Sequence, residues 1–497
     1  MLRIAGFPKT LCDGITRREL LSIGSVGFLS LSQWGRLRAL QAAVEPSEYR
    51  GSFGRAKSCI LLFLFGSPSQ HDTFDPKPDA LVEIRGEFGS IPTKLPGVRF
   101  CETLPGIAGI ADRITVVRSM TSPHANHDVA YALTANPISD IPMQLNPRDP
   151  RNWPFIGSVV DYLDEQAGRG SAEMPRNIAL PYLLSSRRSH PSRDSGPYGH
   201  FLGPNYDPVW TDFQGEGTEH YCYSPGTDNE HRDPFIGVKP GFSLKLTAGE
   251  ERFAPHLTAR LDDRRRLLEQ LESARRALDA GSTGSFDKRR QQAFDLLISG
   301  KTRTALDLER ESVETREKYG MHLFGQASLA ARRLVESGGR FVTVFWDDFH
   351  HLQSAWDTHT NHFWKMRNLL CPGLDQTFVT LVEDLEARGL LDETIVACFS
   401  EHGRTPRVTT TVRGSGRGHW SDAYSAIFAG GGFARGKIIG ATDRTGGYVA
   451  ENPVSPKDVL ATMLHLLGID PETMIPDRLN RPLAAAGEGR VRHELLA

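Results

Sequence analysis

The run Ser58-Cys-Ile-Leu-Leu-Phe-Leu-Phe65 is apolar at nearly every position and stops at Gly66. A strand with one wet face alternates apolar and polar residues, whereas an unbroken apolar run needs cover on both faces. Such a strand belongs in a parallel sheet between layers of helices. Further strand candidates are Ile114-Thr-Val-Val117, the stretch from Arg340 to Trp346, the stretch from Thr394 to Phe399, and Ser425-Ala-Ile-Phe428. Helical periodicity lies between them. Residues 326–336 and 374–388 feed the strands at 340 and 394, and 456–467 form a last helix with Ser455 as cap and Pro456 in its first turn. Strands alternating with helices predict an α/β sandwich.

Two stretches depart from that rhythm. Residues 185–242 are rich in Ser, Pro, Gly and Asp, and read as a long ordered insertion near a site. Around 256–320 the chain reads as helical. There Leu257, Leu261, Leu268, Leu271 and Leu278 stripe one face of a charged helix as a packing surface, with a break at 281–285.

The N-terminus reads as an address. In Thr16-Arg-Arg-Glu-Leu-Leu21 two arginines precede a weakly apolar run, Leu20 to Leu31, that is too short and too polar to span a bilayer. Small residues follow at Ala39, Ala42 and Ala43. This resembles a twin-arginine export signal. Residues 1–43 are therefore expected to be the signal and 44–497 a single domain. The expected location is periplasmic or extracellular, with the twin-arginine translocase as transient partner and no stable membrane span. Lys+Arg 58 against Asp+Glu 60 leaves a net charge of −2, which argues against a nucleic-acid partner. None of the 6 cysteines stands at C-x-x-C spacing, so neither a zinc knuckle nor a disulfide framework is indicated. Export would permit one or two bridges.

Open α/β sheets bind ligands at the carboxyl ends of their strands. Here polar residues crowd those positions: Gly66-Ser-Pro-Ser-Gln-His-Asp-Thr-Phe-Asp75, then Asp347-Asp-Phe-His-His351 with Trp356-Asp-Thr-His-Thr-Asn-His362, then Ser400-Glu-His-Gly-Arg-Thr-Pro406, then Gly416-Arg-Gly-His-Trp420. Of the 17 histidines, 6 fall between His350 and His419. Each piece alone has a commonplace explanation as a loop hydrogen bond or a surface ion pair. Their shared placement after parallel strands argues for one site. Imidazole with carboxylate suits zinc, manganese or iron better than calcium. Such an ion polarises a phosphoryl or sulfuryl oxygen and lowers the pKa of a hydroxyl or water; two ions would clamp attacking and leaving oxygens.

These runs, together with Gly440-Ala-Thr-Asp443, resemble the bacterial family called domain of unknown function 1501, over roughly residues 55 to 485. That family is placed in the alkaline-phosphatase superfamily beside the sulfatases. The resemblance implies an alkaline-phosphatase-like α/β/α sandwich around a mostly parallel sheet, with a loop-rich insertion. It also implies metal ligation by Asp72 after the first strand, by Asp357 with His359 or His362, by Glu401 and His402 in place of an Asp-His-Gly motif, and by His419. The cofactor is then one or two divalent ions, zinc first and manganese second. The superfamily's nucleophile sits at a helix start after the second strand. Here that stretch is Arg118-Ser-Met-Thr-Ser-Pro-His-Ala-Asn-His127. Ser119, Thr121 and Ser122 are candidates, the last two nearest the helix start. Asn126 would bond a non-bridging oxygen, and His124 or His127 would ligate metal or act as acid. Arg404 and Arg118 would grip an anionic ester. The Cys-x-Pro-x-Arg motif of formylglycine sulfatases is absent.

The function expected is an exported metal-dependent hydrolase of phosphate or sulfate esters, acting by in-line attack of a metal-activated hydroxyl or water. The alternative is a catalytically inactive relative that binds sulfated or phosphorylated glycans. The partner in either case is an anionic small molecule or glycan.

Overall fold

The computed structural model describes residues 51–137, 146, 148–169, 174–188, 196–218, 220–222, 230–246, 300–350, 353–412 and 414–497. The twin-arginine segment, the leucine stripe at 257–278 and the break at 281–285 lie outside them. Ser52–Ala497 form one compact unit.

Nine strands build the central sheet: β1 (Ser58–Leu64), β2 (Thr115–Met120), β3 (Asn177–Leu180), β4 (Val209–Gln214), β5 (Ser243–Leu246), β6 (Phe341–Trp346), β7 (Thr394–Phe399), β8 (Tyr424–Ala429) and β9 (Lys437–Ile439). Their spatial order is β9-β2-β8-β7-β1-β6-β3-β4-β5. Only β8 and β5 run against the others. The mostly parallel α/β sandwich expected from the apolar runs is thus the architecture observed. Every residue of β1, β6 and β7 is buried, as two-faced cover requires.

Helices among the described residues that bear on the core and the site are α1 (Val129–Leu133), α2 (Ile156–Gln166), α3 (Leu323–Glu336), α4 (Cys371–Ala387) and α5 (Pro456–Leu466). Alternate strand residues face opposite layers. Val342, Val344 and Trp346 join the core formed with α3 and α4. Phe341 meets Phe155, the residue that precedes α2, edge to face at 5.7 Å. Ser455 caps α5 in a capping box with Asp458, as its sequence predicted. Within the stretch 185–242, Val209–Gln214 supplies β4 to the sheet. Cys59, Cys101, Cys371 and Cys398 are buried free thiols, so none of these four forms a bridge. No helix among the described residues is long and apolar enough to cross a membrane.

Two features of this topology create the site. First, β1, β2, β6 and β7 share one direction, so the loops that follow them leave the same sheet edge. Second, β8 runs antiparallel to its neighbour β7. The connection 400–423 therefore starts and ends at that edge. It closes on itself through a two-rung ladder, Gly403 opposite Trp420 and Arg404 opposite His419.

Candidate metal centre

The loop after β2 delivers His127 to the loop after β7. Nδ1 of His127 lies 2.7 Å from Oε1 of Glu401. The same carboxylate oxygen accepts the Gly66 backbone N–H at 2.9 Å, and Oε2 accepts the Ser400 hydroxyl at 2.6 Å. With His127 Nδ1–H donated to Glu401, Nε2 faces inward, 3.4 Å from Asp357 Oδ2.

Asp357, after β6, is the hub. Its Oδ1 accepts from Arg404 at 2.6 Å and lies 3.0 Å from His359 Nε2 and 3.3 Å from His419 Nε2. The two histidine nitrogens are themselves 2.9 Å apart. Burial pushes the Asp357 carboxyl up, but Arg404 and then the surrounding imidazoles outweigh it and hold it well below the usual range. Gly66 makes the close approach feasible. Its φ is +98°, and a Cβ there would fall 2.2 Å from the Asp357 backbone nitrogen.

Two sets of donors result. His127, His402 and His419 each offer an atom, all within 4.8 Å of one another, and Asp357, His359 and His419 do the same. The residues fit a cation by their chemistry. His402 is fully buried and its Nδ1 lies 2.8 Å from the Gly403 carbonyl, so Nδ1 carries the proton. Nε2 then holds a lone pair, and it is a buried polar atom with no hydrogen-bond partner among the described residues. Burial keeps both His402 and His419 neutral by lowering their pKa values. Neutral imidazole oriented by an outer hydrogen bond is the ligating form. The cluster meets solvent on the side of His359, whose side chain is 35% exposed.

Of the residues expected from sequence, Asp357, His359, His402 and His419 come together. Glu401 joins them one layer out, its oxygens committed to His127, Gly66 and Ser400. Asp72 and His362 do not join. Asp72 Oδ2 accepts from Arg417 at 2.7 Å and from His362 Nε2 at 2.9 Å. His362 Nδ1 accepts the Thr358 hydroxyl at 2.6 Å, so neither ring nitrogen is left for a metal.

The expected ester-handling residues need similar correction. Thr121 and Ser122 do not start a helix. Thr121 directly follows the end of β2, its N–H donating to the Val454 carbonyl at 2.9 Å, while α1 begins at Val129 with the Asp128 side chain as cap. Ser122 is buried, 3.5 Å from the His124 carbonyl. Asn126 lies between them and α1, one residue before His127. Arg404 is fully buried and spent on Asp357, the Ser67 carbonyl at 3.0 Å and neighbouring backbone, so it braces the site rather than gripping a ligand. Arg118 instead faces the Arg99 carbonyl and Asp75. Arg417 escaped the sequence reading altogether; its only signal was its place in Gly416-Arg-Gly-His-Trp420. Of the two imidazoles the sequence offers in the loop after β2 as ligand or acid, His124 and His127, it is His127 that joins the cluster.

The family model described as a protein of unknown function, DUF1501, matches residues 56–496. No curated protein matches the chain. Similar solved structures include the lipoteichoic acid synthase LtaP from Listeria monocytogenes, at 10% identity over 89% of this chain and 77% of that one, TM-score 0.40. They also include the PsFucS1 sulfatase from Pseudoalteromonas sp., at 12% identity over 90% and 77%, TM-score 0.36. The phosphonate monoester hydrolase SpPMH from Silicibacter pomeroyi is similar at 10% identity over 89% and 76%, TM-score 0.34.

Proposed function

This chain belongs to the DUF1501 family, and from that premise we propose that it is a metal-dependent hydrolase of phosphate or sulfate esters. The observation that carries the reading is the convergence of His127, Asp357, His359, His402 and His419 from three loops at one sheet edge, with a buried, unpartnered imidazole nitrogen among them. His127, His402 and His419 would hold one divalent ion, and Asp357 with His359 would hold a second or complete the first. The nitrogen-rich set favours zinc, with manganese next. Such an ion supplies a lowered pKa for water or a hydroxyl and a charge facing the ester oxygens.

The chain's own groups do the rest. Glu401 holds the His127 proton at Nδ1 and so fixes which nitrogen faces inward. Arg404 neutralises Asp357 from behind and keeps it ionised. His359, the most exposed member, lies on the side where an anionic ester would enter. The attacking group in this reading is water, because Thr121 and Ser122 do not occupy a helix start.

That same observation favours a second reading, a binding protein that holds a sulfated or phosphorylated glycan without turnover. In both readings the Arg17-Arg18 segment sends the protein out of the cytoplasm through the twin-arginine translocase, as a domain running from about residue 44 to the C-terminus.

The test is metal analysis of the purified full-length protein, then hydrolysis of aryl phosphate and aryl sulfate esters after loading with zinc or manganese. Metal uptake with turnover supports the first reading. Metal uptake and glycan affinity without turnover favours the second. A protein that takes up neither ion overturns both.

A further inference from the structure

Beneath the donor cluster lie three side chains with no exposed surface: Asp72, His362 and Arg417. Arg417 spreads its donors over several segments. Nε meets Asp72 Oδ2 at 2.7 Å, Nη2 meets the Ile84 carbonyl at 2.8 Å, and Nη1 reaches the carbonyls of Thr405, at 3.2 Å, and Pro406. The Arg417 backbone N–H donates to the Thr358 carbonyl at 3.3 Å. His362 ties Asp72 to Thr358 through its two ring nitrogens. Burial pushes the Asp72 carboxyl up, yet Arg417 and then His362 hold it well below the usual range, so it is a carboxylate inside the protein.

The positions of these contacts matter. Thr358 stands between Asp357 and His359. Arg417 is two residues before His419. Thr405 and Pro406 directly follow Arg404, the partner of Asp357. The two strands of chain are so close that a Cβ at Gly416 would fall 1.9 Å from the His359 carbonyl oxygen. Every loop that carries an Asp357, His359 or His419 donor is thus pinned within two residues of the donor.

We infer that Asp72, His362 and Arg417 form the positioning unit of the candidate metal centre. Asp72 does not ligate; it locks the segments 358–362 and 405–417 so that Asp357, His359 and His419 present their atoms together. The rigid guanidinium fork suits this, because a carboxylate and several carbonyls are held in fixed directions by one group. The network is closed and buried, so loosening one member releases the others. The inference rests on the reading of the cluster as a metal centre.

The test uses full-length protein loaded with Co²⁺, whose visible absorption reports ligand geometry, with affinity read by chelator competition. Three variants are compared with wild type: Asp72→Asn, His362→Gln and Arg417→Lys. Each is expected to lower Co²⁺ affinity ten- to a hundredfold, as loss of outer-layer partners does, and to alter the absorption band while far-ultraviolet dichroism is retained. The double variant Asp72→Asn/Arg417→Lys is expected to lose less than the product of the two single effects. Wild-type affinity and spectrum in both His362→Gln and Arg417→Lys overturn the inference, even where Asp72→Asn alone is impaired, because Asp72 would then be a ligand. Should Asp72→Asn not fold, the other two decide the matter. A wild-type protein that takes up no Co²⁺ overturns the metal reading itself and the inference with it, a result separate from silent variants.

Discussion

Nδ1 of His127 and Oε1 of Glu401 meet at 2.7 Å although 274 positions separate them in the chain. Burial acts to lower the His127 pKa, but the hydrogen bonds to Asp357 and Glu401 prevail and raise it to about 9. The metal-free protein therefore carries an imidazolium between two carboxylates, and any cation must displace that proton.

The first prediction concerns that proton. In metal-free protein the His127 ring is expected to titrate near 9 by NMR rather than near 6.5. Its folded pKa lies above its unfolded one, so its contribution to metal-free stability is whole below 6.5 and is lost as pH rises through 9. Metal affinity runs the other way, tightening about tenfold per pH unit below the folded pKa for this one proton. Calorimetry in buffers of different ionisation enthalpy reads the released proton. An affinity flat from mildly acidic to mildly alkaline pH refutes the assignment.

His402 should be the most costly donor to lose. Its Nε2 has no hydrogen-bond partner among the described residues, so His402→Gln removes an imidazole lone pair that is free for a cation. The expected result is loss of bound metal by elemental analysis, with the metal-free melting temperature within a few degrees of wild type. Undiminished metal content in this variant contradicts the site.

For Arg404 the structure and the sequence reading predict different outcomes. Removing one partner of a buried pair leaves an uncompensated charge, which costs roughly 3–5 kcal/mol. Arg404→Met is expected to fall in that range by urea denaturation, because Asp357 Oδ1 sits 2.6 Å from the guanidinium. A variant of native stability whose only defect is a raised KM restores Arg404 to the ester-binding role.

Gly66 supplies a backbone test. A Cβ there collides with the Asp357 backbone in addition to the strain of φ +98°. Gly66→Ala should cost at least the 1–3 kcal/mol of an overpacked core position and should also release metal. Gly97 has φ +78° with open space around it. Gly97→Ala is the control, costing about 1–2 kcal/mol from conformation alone and leaving metal binding intact.

The sheet was legible where local composition alone dictates structure. The stretch from Thr394 to Phe399 is a strand at the bounds its apolar run suggests, because six consecutive apolar or β-branched residues tolerate little besides a two-faced strand. Asn177–Leu180 and Val209–Gln214 escaped notice. The first is too short to show a period, and the second is embedded among turn-forming residues. Asp357, His359, His402 and His419 could be singled out beforehand because each follows a strand whose direction the helix–strand alternation already implied.

The amino-acid order by itself determined the parallel core and which polar residues would emerge at its carboxyl edge, since both follow from apolar patterning over a few residues. Only the tertiary structure decided which of those residues face each other. Asp72 was placed by sequence among the ligands, but Arg417, 345 positions away, holds its carboxylate instead, while His127 turns toward the cluster. A buried carboxylate or imidazole takes whichever partner long-range packing brings within about 3 Å, and no local pattern encodes that encounter.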